Sequence, residues 1–191
     1  MHDLYQKVSV AYDQEYLRST YLSKWNFPPS EAKDVIVISD YTTLVIGNYA
    51  NLDWGIDFKE MQVEDIGVYI TKAGYFANPH TDGSSTGKIR EWALNFPLFN
   101  CEKGYTTWHS YSDINTQTIS DDKISGTIYN KTNLKPSMTK ELGRIRMNGS
   151  YMVKTNILHS IDNRDNQHPR AVLTFRFKDI SWEQGKKVLC Q

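Results

Sequence analysis

His80-Thr81-Asp82 sets an imidazole and a carboxylate two residues apart inside NPHTDGSSTGKIREWALNFPL, residues 78–98. Residues i and i+2 of an extended chain face the same side, so the two side chains converge on one point if the segment is a strand or nearly so. One nitrogen and one oxygen ligand suit a divalent first-row metal, and a second histidine would complete a ligand face while leaving other positions open. The same triplet also fits a polar turn in which the Asp accepts backbone N–H bonds. The remaining histidines are His2, His109, His159 and His168. His2 lies at the terminus, His109 follows Trp108 at the end of a strand-like block, and His168 precedes Pro169 in the polar stretch SIDNRDNQHP. His159 closes YMVKTNILH, and an apolar strand that stops at a histidine places the imidazole at a rim.

Eleven residues after His159, Arg170 opens the next apolar strand, RAVLTFRF. If SIDNRDNQHP is a turn, the two strands form a hairpin and Arg170 points into the cavity that His159 lines. A guanidinium is costly to bury without an anion, and its fork matches a carboxylate in a bidentate way. The alternatives are local: His159 as a core histidine bonded across a sheet, and Arg170 paired with Asp162 or Asp165 in its own hairpin.

These residues need a scaffold. From residue 66 onward the chain reads as strand-like blocks, IGVYITKAGYF, IREWALNFPLF, YTTWHSY, SYMVKTNILHSI and RAVLTFRFKDI, rich in β-branched and aromatic residues and punctuated by Gly, Asn, Asp and Pro. An antiparallel sandwich or barrel is expected. Residues 3–24 place Leu4, Val8, Ala11, Tyr12 and Tyr16 at spacings of three and four, which predicts an amphipathic helix stopped by FPPSEAKD at 27–34. VIVIS at 35–39 reads as a short buried strand and TTLVIGNYANLDWGIDF as holding another. The polar stretch 112–150 is expected to hold loops, a short helical piece and one strand.

The chain has 191 residues, 39% of them apolar and 13% aromatic, which is enough for one domain with a real core. We expect a single domain over 1–191, with 1–65 as helical and strand support and 66–180 as the β core. Lys plus Arg and Asp plus Glu are equal at 22 each, so the overall field does not point to nucleic acid or an anionic membrane as partner. The N-terminus lacks a basic segment followed by an apolar block, and no run of about 18 apolar residues occurs, so a cytoplasmic protein is expected. Cys101 and Cys190 stand far apart without a CxxC pair, which fits reduced thiols.

HTD at 80–82, His159 and the following Arg170 together resemble the Fe(II)- and 2-oxoglutarate-dependent dioxygenases, whose signature is HxD, a distal His and an Arg or Lys roughly ten residues later. PHTDG...REWALNFPL is similar to the branch with prolyl and aspartyl/asparaginyl hydroxylases. The resemblance covers about residues 66–178 and implies a mainly β fold, a double-stranded β-helix or cupin-like jelly roll with N-terminal helical support. It also implies that His80, Asp82 and His159 bind Fe(II), that Arg170 pairs with the distal carboxylate of 2-oxoglutarate, and that O2 is consumed with formation of succinate. Asp82 in the carboxylate position favours hydroxylation over halogenation. Many members carry Ser or Thr two residues after the Arg; here that position is Val172, and Thr174 would take the role if it shares the face. Asn95, between Leu94 and Phe96, either contacts the co-substrate or satisfies a neighbouring backbone group.

Two other function classes fit the same residues: a cupin-type metalloprotein that does not use 2-oxoglutarate, and a non-enzymatic β-sandwich binding module. No motif names the substrate, which would be a small molecule or a peptidyl residue met by loops such as NYANLDWGIDF and the 112–150 region.

Overall fold

The alternation in RAVLTFRF sorts that segment into two faces, and the computed structural model shows what each face meets. It describes residues 3–10, 12–17, 35–39, 42–46, 58, 61–82, 90–111, 121–124, 127–131 and 139–190. Among these, a seven-stranded sheet runs in the order β1 (Tyr5–Lys7), β11 (Tyr151–Lys154), β6 (Trp92–Phe99), β13 (Arg170–Phe177), β4 (Val63–Thr71), β3 (Thr42–Ile46) and β2 (Val35–Ser39). A six-stranded sheet runs β10 (Thr139–Ile145), β7 (Tyr105–Tyr111), β12 (His159–Asp162), β5 (Phe76–Asp82), β9 (Thr127–Lys131) and β8 (Asp121–Ile124). All strand pairs are antiparallel.

The chain changes sheet in two runs of three consecutive steps: β4 to β5, β5 to β6, β6 to β7, then β10 to β11, β11 to β12 and β12 to β13. That path makes the fold a double-stranded β-helix, a jelly roll with helical pieces at its ends. On β13, Ala171, Leu173, Phe175 and Phe177 pack outward with Ile66, Val68, Ile70, Leu94, Phe96 and Leu98 beneath Val8 and the helix α2 (Trp182–Leu189). Val172, on the opposite face, joins Ala93, Tyr151 and Val153 of its own sheet and Trp108 of the other. Arg170, Thr174 and Arg176 share that inner face by strand parity, so the space between the sheets receives two arginines.

Several elements differ from expectation. Tyr5–Lys7 is a strand paired with β11, not part of a helix, and among the described residues of this segment the helical part is α1 (Gln14–Leu17); Ala11 and residues 18–24 lie outside the described residues, as does FPPSEAKD. Leu4 and Val8 stand four apart as on one helix face, but they flank the strand and enter different cores, Leu4 that of Trp108 and Val153 and Val8 that of Phe96 and Trp182. SYMVKTNILHSI is two strands in different sheets, and the 112–150 stretch contributes three strands. The hairpin predicted for β12 and β13 does not form: residues 163–169 carry the chain from one sheet to the other. Asn163 holds that crossover, donating from Nδ2 to the carbonyls of Thr71, Lys72 and His168.

α2 was not anticipated, although SWEQGKKVL contains a capping box: Ser181 accepts from the Gln184 backbone N–H, and the Gln184 side chain accepts from that of Ser181. The helix seats Gly185 on the outer sheet face, where a Cβ would lie 2.5 Å from Trp92 Cζ2 and 2.8 Å from Met152 Cε. Trp92 cannot yield easily, since its Nε1 donates to the Ile180 carbonyl and its ring stacks on Phe177. Gly185→Ala gains about 1 kcal/mol of helix propensity but overpacks the contact by about 1–3 kcal/mol. A lower urea midpoint is expected; an unchanged one would mean that α2 shifts at little cost.

Candidate metal centre

β5 carries His80 and Asp82 inward with the help of a register fault. His159 pairs with His80 while Ile161 pairs with Ala77, so β5 spends three residues where β12 spends two. The extra residue falls beside Pro79, which has no N–H to give to a ladder, and such a bulge re-aims the side chains beyond it. The far end of β5 is clasped by its neighbours: the Asp82 N–H donates to the Thr155 carbonyl at 3.0 Å and its carbonyl accepts from the Arg90 N–H at 3.1 Å.

The three side chains converge. His80 Nε2 lies 3.9 Å and His159 Nε2 3.7 Å from Asp82 Oδ1, the imidazole centroids are 4.5 Å apart, and the ligand atoms all fall within 4.8 Å of one another. Two ligands of one ion at about 2.1 Å each can stand no more than about 4.2 Å apart, so the pairs that include Oδ1 fit a shared ion. The His80 side chain is 19% exposed against 8% for Asp82, which marks its side as the approach to the site.

Second contacts fix how the ligands present themselves. His159 Nδ1 lies 3.0 Å from the Ile157 carbonyl; a carbonyl only accepts, so Nδ1 carries the hydrogen and Nε2 keeps its lone pair toward Asp82. Burial first, and then His80, pull the His159 pKa down to about 4 against the opposing pull of Asp82. Burial alone would raise the Asp82 carboxyl, but Arg176, His159 and His80 together outweigh it and hold it well below the usual carboxylate range. A neutral imidazole and an ionised carboxylate are the forms that a divalent cation takes.

Between about 6.5, the ordinary histidine value, and about 4 the unfolded chain binds a proton at His159 that the folded chain excludes. The stability of the metal-free protein should therefore fall as pH drops through that window. Urea denaturation at pH 7 and pH 5 checks this, with a flatter dependence expected for His159→Gln. An equal slope in that variant would remove His159 as a source.

The other predicted residues fall around the same interior. Arg170 is 2% exposed and donates from Nη2 to Thr106 Oγ1 at 3.2 Å; its Nε has no hydrogen-bond partner among the described residues. It is not paired with Asp162, whose carboxylate is taken by Arg164 at 2.9 and 2.7 Å. Asn95 stands opposite Thr174 across the β6–β13 pair, on the inner face by its parity with Ala93, and its Oδ1 likewise has no partner among the described residues. Thr174 shares the inner face with Arg170, as does Val172. His109 uses both ring nitrogens, Nε2 with Ser160 Oγ at 2.7 Å and Nδ1 with Thr139 Oγ1 at 3.2 Å, and so has a structural role. His168 is exposed, and His2 lies outside the described residues.

Sequence reading missed Arg176. Only 2% exposed, it donates from Nη2 to Asp82 Oδ2 at 2.8 Å and to the Tyr69 hydroxyl, with its guanidinium 5.3 Å from the Tyr69 ring centroid. The signal was present: Arg170 and Arg176 have the same parity on one strand, so one facing the interior requires that the other does.

No protein-family model and no curated protein sequence matches the chain. Among solved structures, the epimerase SnoN in complex with Fe3+, alpha ketoglutarate and nogalamycin RO aligns over 92% of this chain and 78% of its own, at 13% identity and a TM-score of 0.56. A second structure, of the non-heme alpha ketoglutarate dependent epimerase SnoN from nogalamycin biosynthesis, covers 92% and 77%, at 11% identity and a TM-score of 0.52. A vicilin from Corylus avellana (hazelnut) aligns over 76% of this chain at 11% identity and a TM-score of 0.41, and the chain spans 31% of that protein's length. At such identities the SnoN likeness is one of fold, and it agrees with the cupin-like double-stranded β-helix traced above.

Proposed function

We propose that this chain is an Fe(II)- and 2-oxoglutarate-dependent oxygenase that hydroxylates a small-molecule or peptidyl substrate. The reading rests on one observation: His80, Asp82 and His159 present two imidazole nitrogens and one carboxylate oxygen to a common point between the sheets. Two histidines and one carboxylate are the facial set that suits iron(II) and leaves positions for co-substrate and oxygen. The fit extends to the co-substrate, because Arg170 is a buried cation with an unmet donor and Asn95 a buried amide with an unmet acceptor. Bound iron with 2-oxoglutarate and O2 would supply the oxidising power for the substrate C–H bond, with 2-oxoglutarate leaving as succinate and carbon dioxide.

The chain's own residues supply binding and exclusion. His159, fixed by the Ile157 carbonyl, offers Nε2 without a proton to remove. Asp82, held by Arg176, offers Oδ1. Arg170 offers donors to the distal carboxylate of the co-substrate, and Trp108, fully buried between the sheets, keeps water from their apolar side. SnoN, the iron and alpha-ketoglutarate epimerase, lends the proposal a precedent for such chemistry on a comparable fold.

Anaerobic addition of Fe(II) and 2-oxoglutarate to the purified protein tests the reading. A visible metal-to-ligand charge-transfer band is expected in the wild type and not in His159→Ala. Iron binding without a band would favour a cupin-type metalloprotein that does not use 2-oxoglutarate; no iron binding would favour a binding module.

A further inference from the structure

The two carboxylate oxygens of Asp82 face different partners. Oδ1 is the atom nearest both histidines, at 3.9 and 3.7 Å, whereas Oδ2 accepts from Arg176 Nη2 at 2.8 Å. Arg176 is in turn fixed by the Tyr69 hydroxyl and by its place over the Tyr69 ring. Both members of the ion pair are almost wholly buried, at 2% and 8% side-chain exposure, so neither has water to fall back on. A carboxylate turning both oxygens to a cation would have to swing Oδ2 from its place on Arg176 and share its charge with the ion, weakening a charge-assisted hydrogen bond in a buried site.

We infer that Arg176 is a positioning residue that keeps Asp82 monodentate toward a bound divalent cation, and so holds one more coordination position open for exogenous ligands. The inference rests on the metal-centre reading above and adds a consequence to it: the number of positions left for co-substrate and oxygen is set by a strand neighbour of the ligands, not by the ligands alone. An octahedral ion held by His80 Nε2, Asp82 Oδ1 and His159 Nε2 keeps half its positions for water, and a second carboxylate oxygen would take one of them.

Mn(II) is the probe. Full-length wild type and Arg176→Met are loaded with Mn(II), and the water-proton relaxivity of the bound ion is measured. With Asp82 free to turn, Arg176→Met is expected to lose about one third of the inner-sphere water contribution. A folded, Mn(II)-loaded Arg176→Met with wild-type relaxivity would overturn the inference while leaving the metal centre standing. A wild type that binds no Mn(II) would remove both. The wild-type Mn(II) crystal structure provides the second measurement, should the variant not fold: Asp82 bound through one oxygen with the other on Arg176 is expected, and a bidentate Asp82 overturns the inference.

Discussion

Asp82→Ala is expected to destabilise the metal-free protein by about 3–5 kcal/mol, the range for removing one member of a buried ion pair. The loss has a specific source. Arg176 is only 2% exposed, and without the carboxylate its Nη2 retains the Tyr69 hydroxyl as hydrogen-bond acceptor but no countercharge in that pair. Domains of this kind are stable by about 5–15 kcal/mol, so the variant would stand close to its unfolding threshold. The double variant Asp82→Ala/Arg176→Met removes the guanidinium as well and should recover most of the loss, because well-packed apolar side chains commonly replace buried ion pairs without penalty. Metal binding should not recover, since Oδ1 is gone in both. Urea denaturation and Mn(II) titration of the wild type, the single and the double variant separate the two effects. A single variant as stable as the wild type would mean that Arg176 reaches water or another anion when Asp82 is absent.

What the sequence revealed of this site followed from residue type and parity. His80 and Asp82 could be placed on one face because a strand repeats every two residues, and the same rule applied to RAVLTFRF puts Arg176 on the face of Arg170. The bulge at Pro79 was not legible, because an extra residue in a strand changes no composition and shows only against the partner's register. Nor was the course of the chain after His159. Two short strands around a polar turn look alike whether the turn closes a hairpin or crosses between sheets, and the crossing is decided by Asn163, whose partners Thr71 and Lys72 are some ninety positions away. The link from Arg176 to Asp82 spans 94 positions and belongs to the same class of information. At the N-terminus, the spacing of Leu4 and Val8 matched a helix, but pairing with the edge of β11 holds Tyr5–Lys7 extended and the two side chains enter different cores.

β13 thus sends two arginines inward under different electrostatic conditions, and that difference gives the second large effect. Arg176 has its carboxylate, whereas Arg170 meets neutral groups, the Thr106 hydroxyl at 3.2 Å and the buried Cys101 thiol, and its Nε has no partner among the described residues. A buried guanidinium in that condition costs stability in the metal-free, ligand-free protein. Arg170→Met fills a similar volume without the charge, so its urea midpoint should equal or exceed that of the wild type. The same change should raise the concentration of 2-oxoglutarate needed for the charge-transfer band by about 100-fold, because two charge-assisted hydrogen bonds are together worth about 3 kcal/mol and each 1.4 kcal/mol is about tenfold in affinity. Stability gained together with ligand affinity lost is the pattern of a residue retained for binding. If instead Arg170→Met lowers the urea midpoint and leaves the 2-oxoglutarate requirement unchanged, Arg170 is a structural element of the β7–β13 contact and the co-substrate anchor lies elsewhere on the inner face.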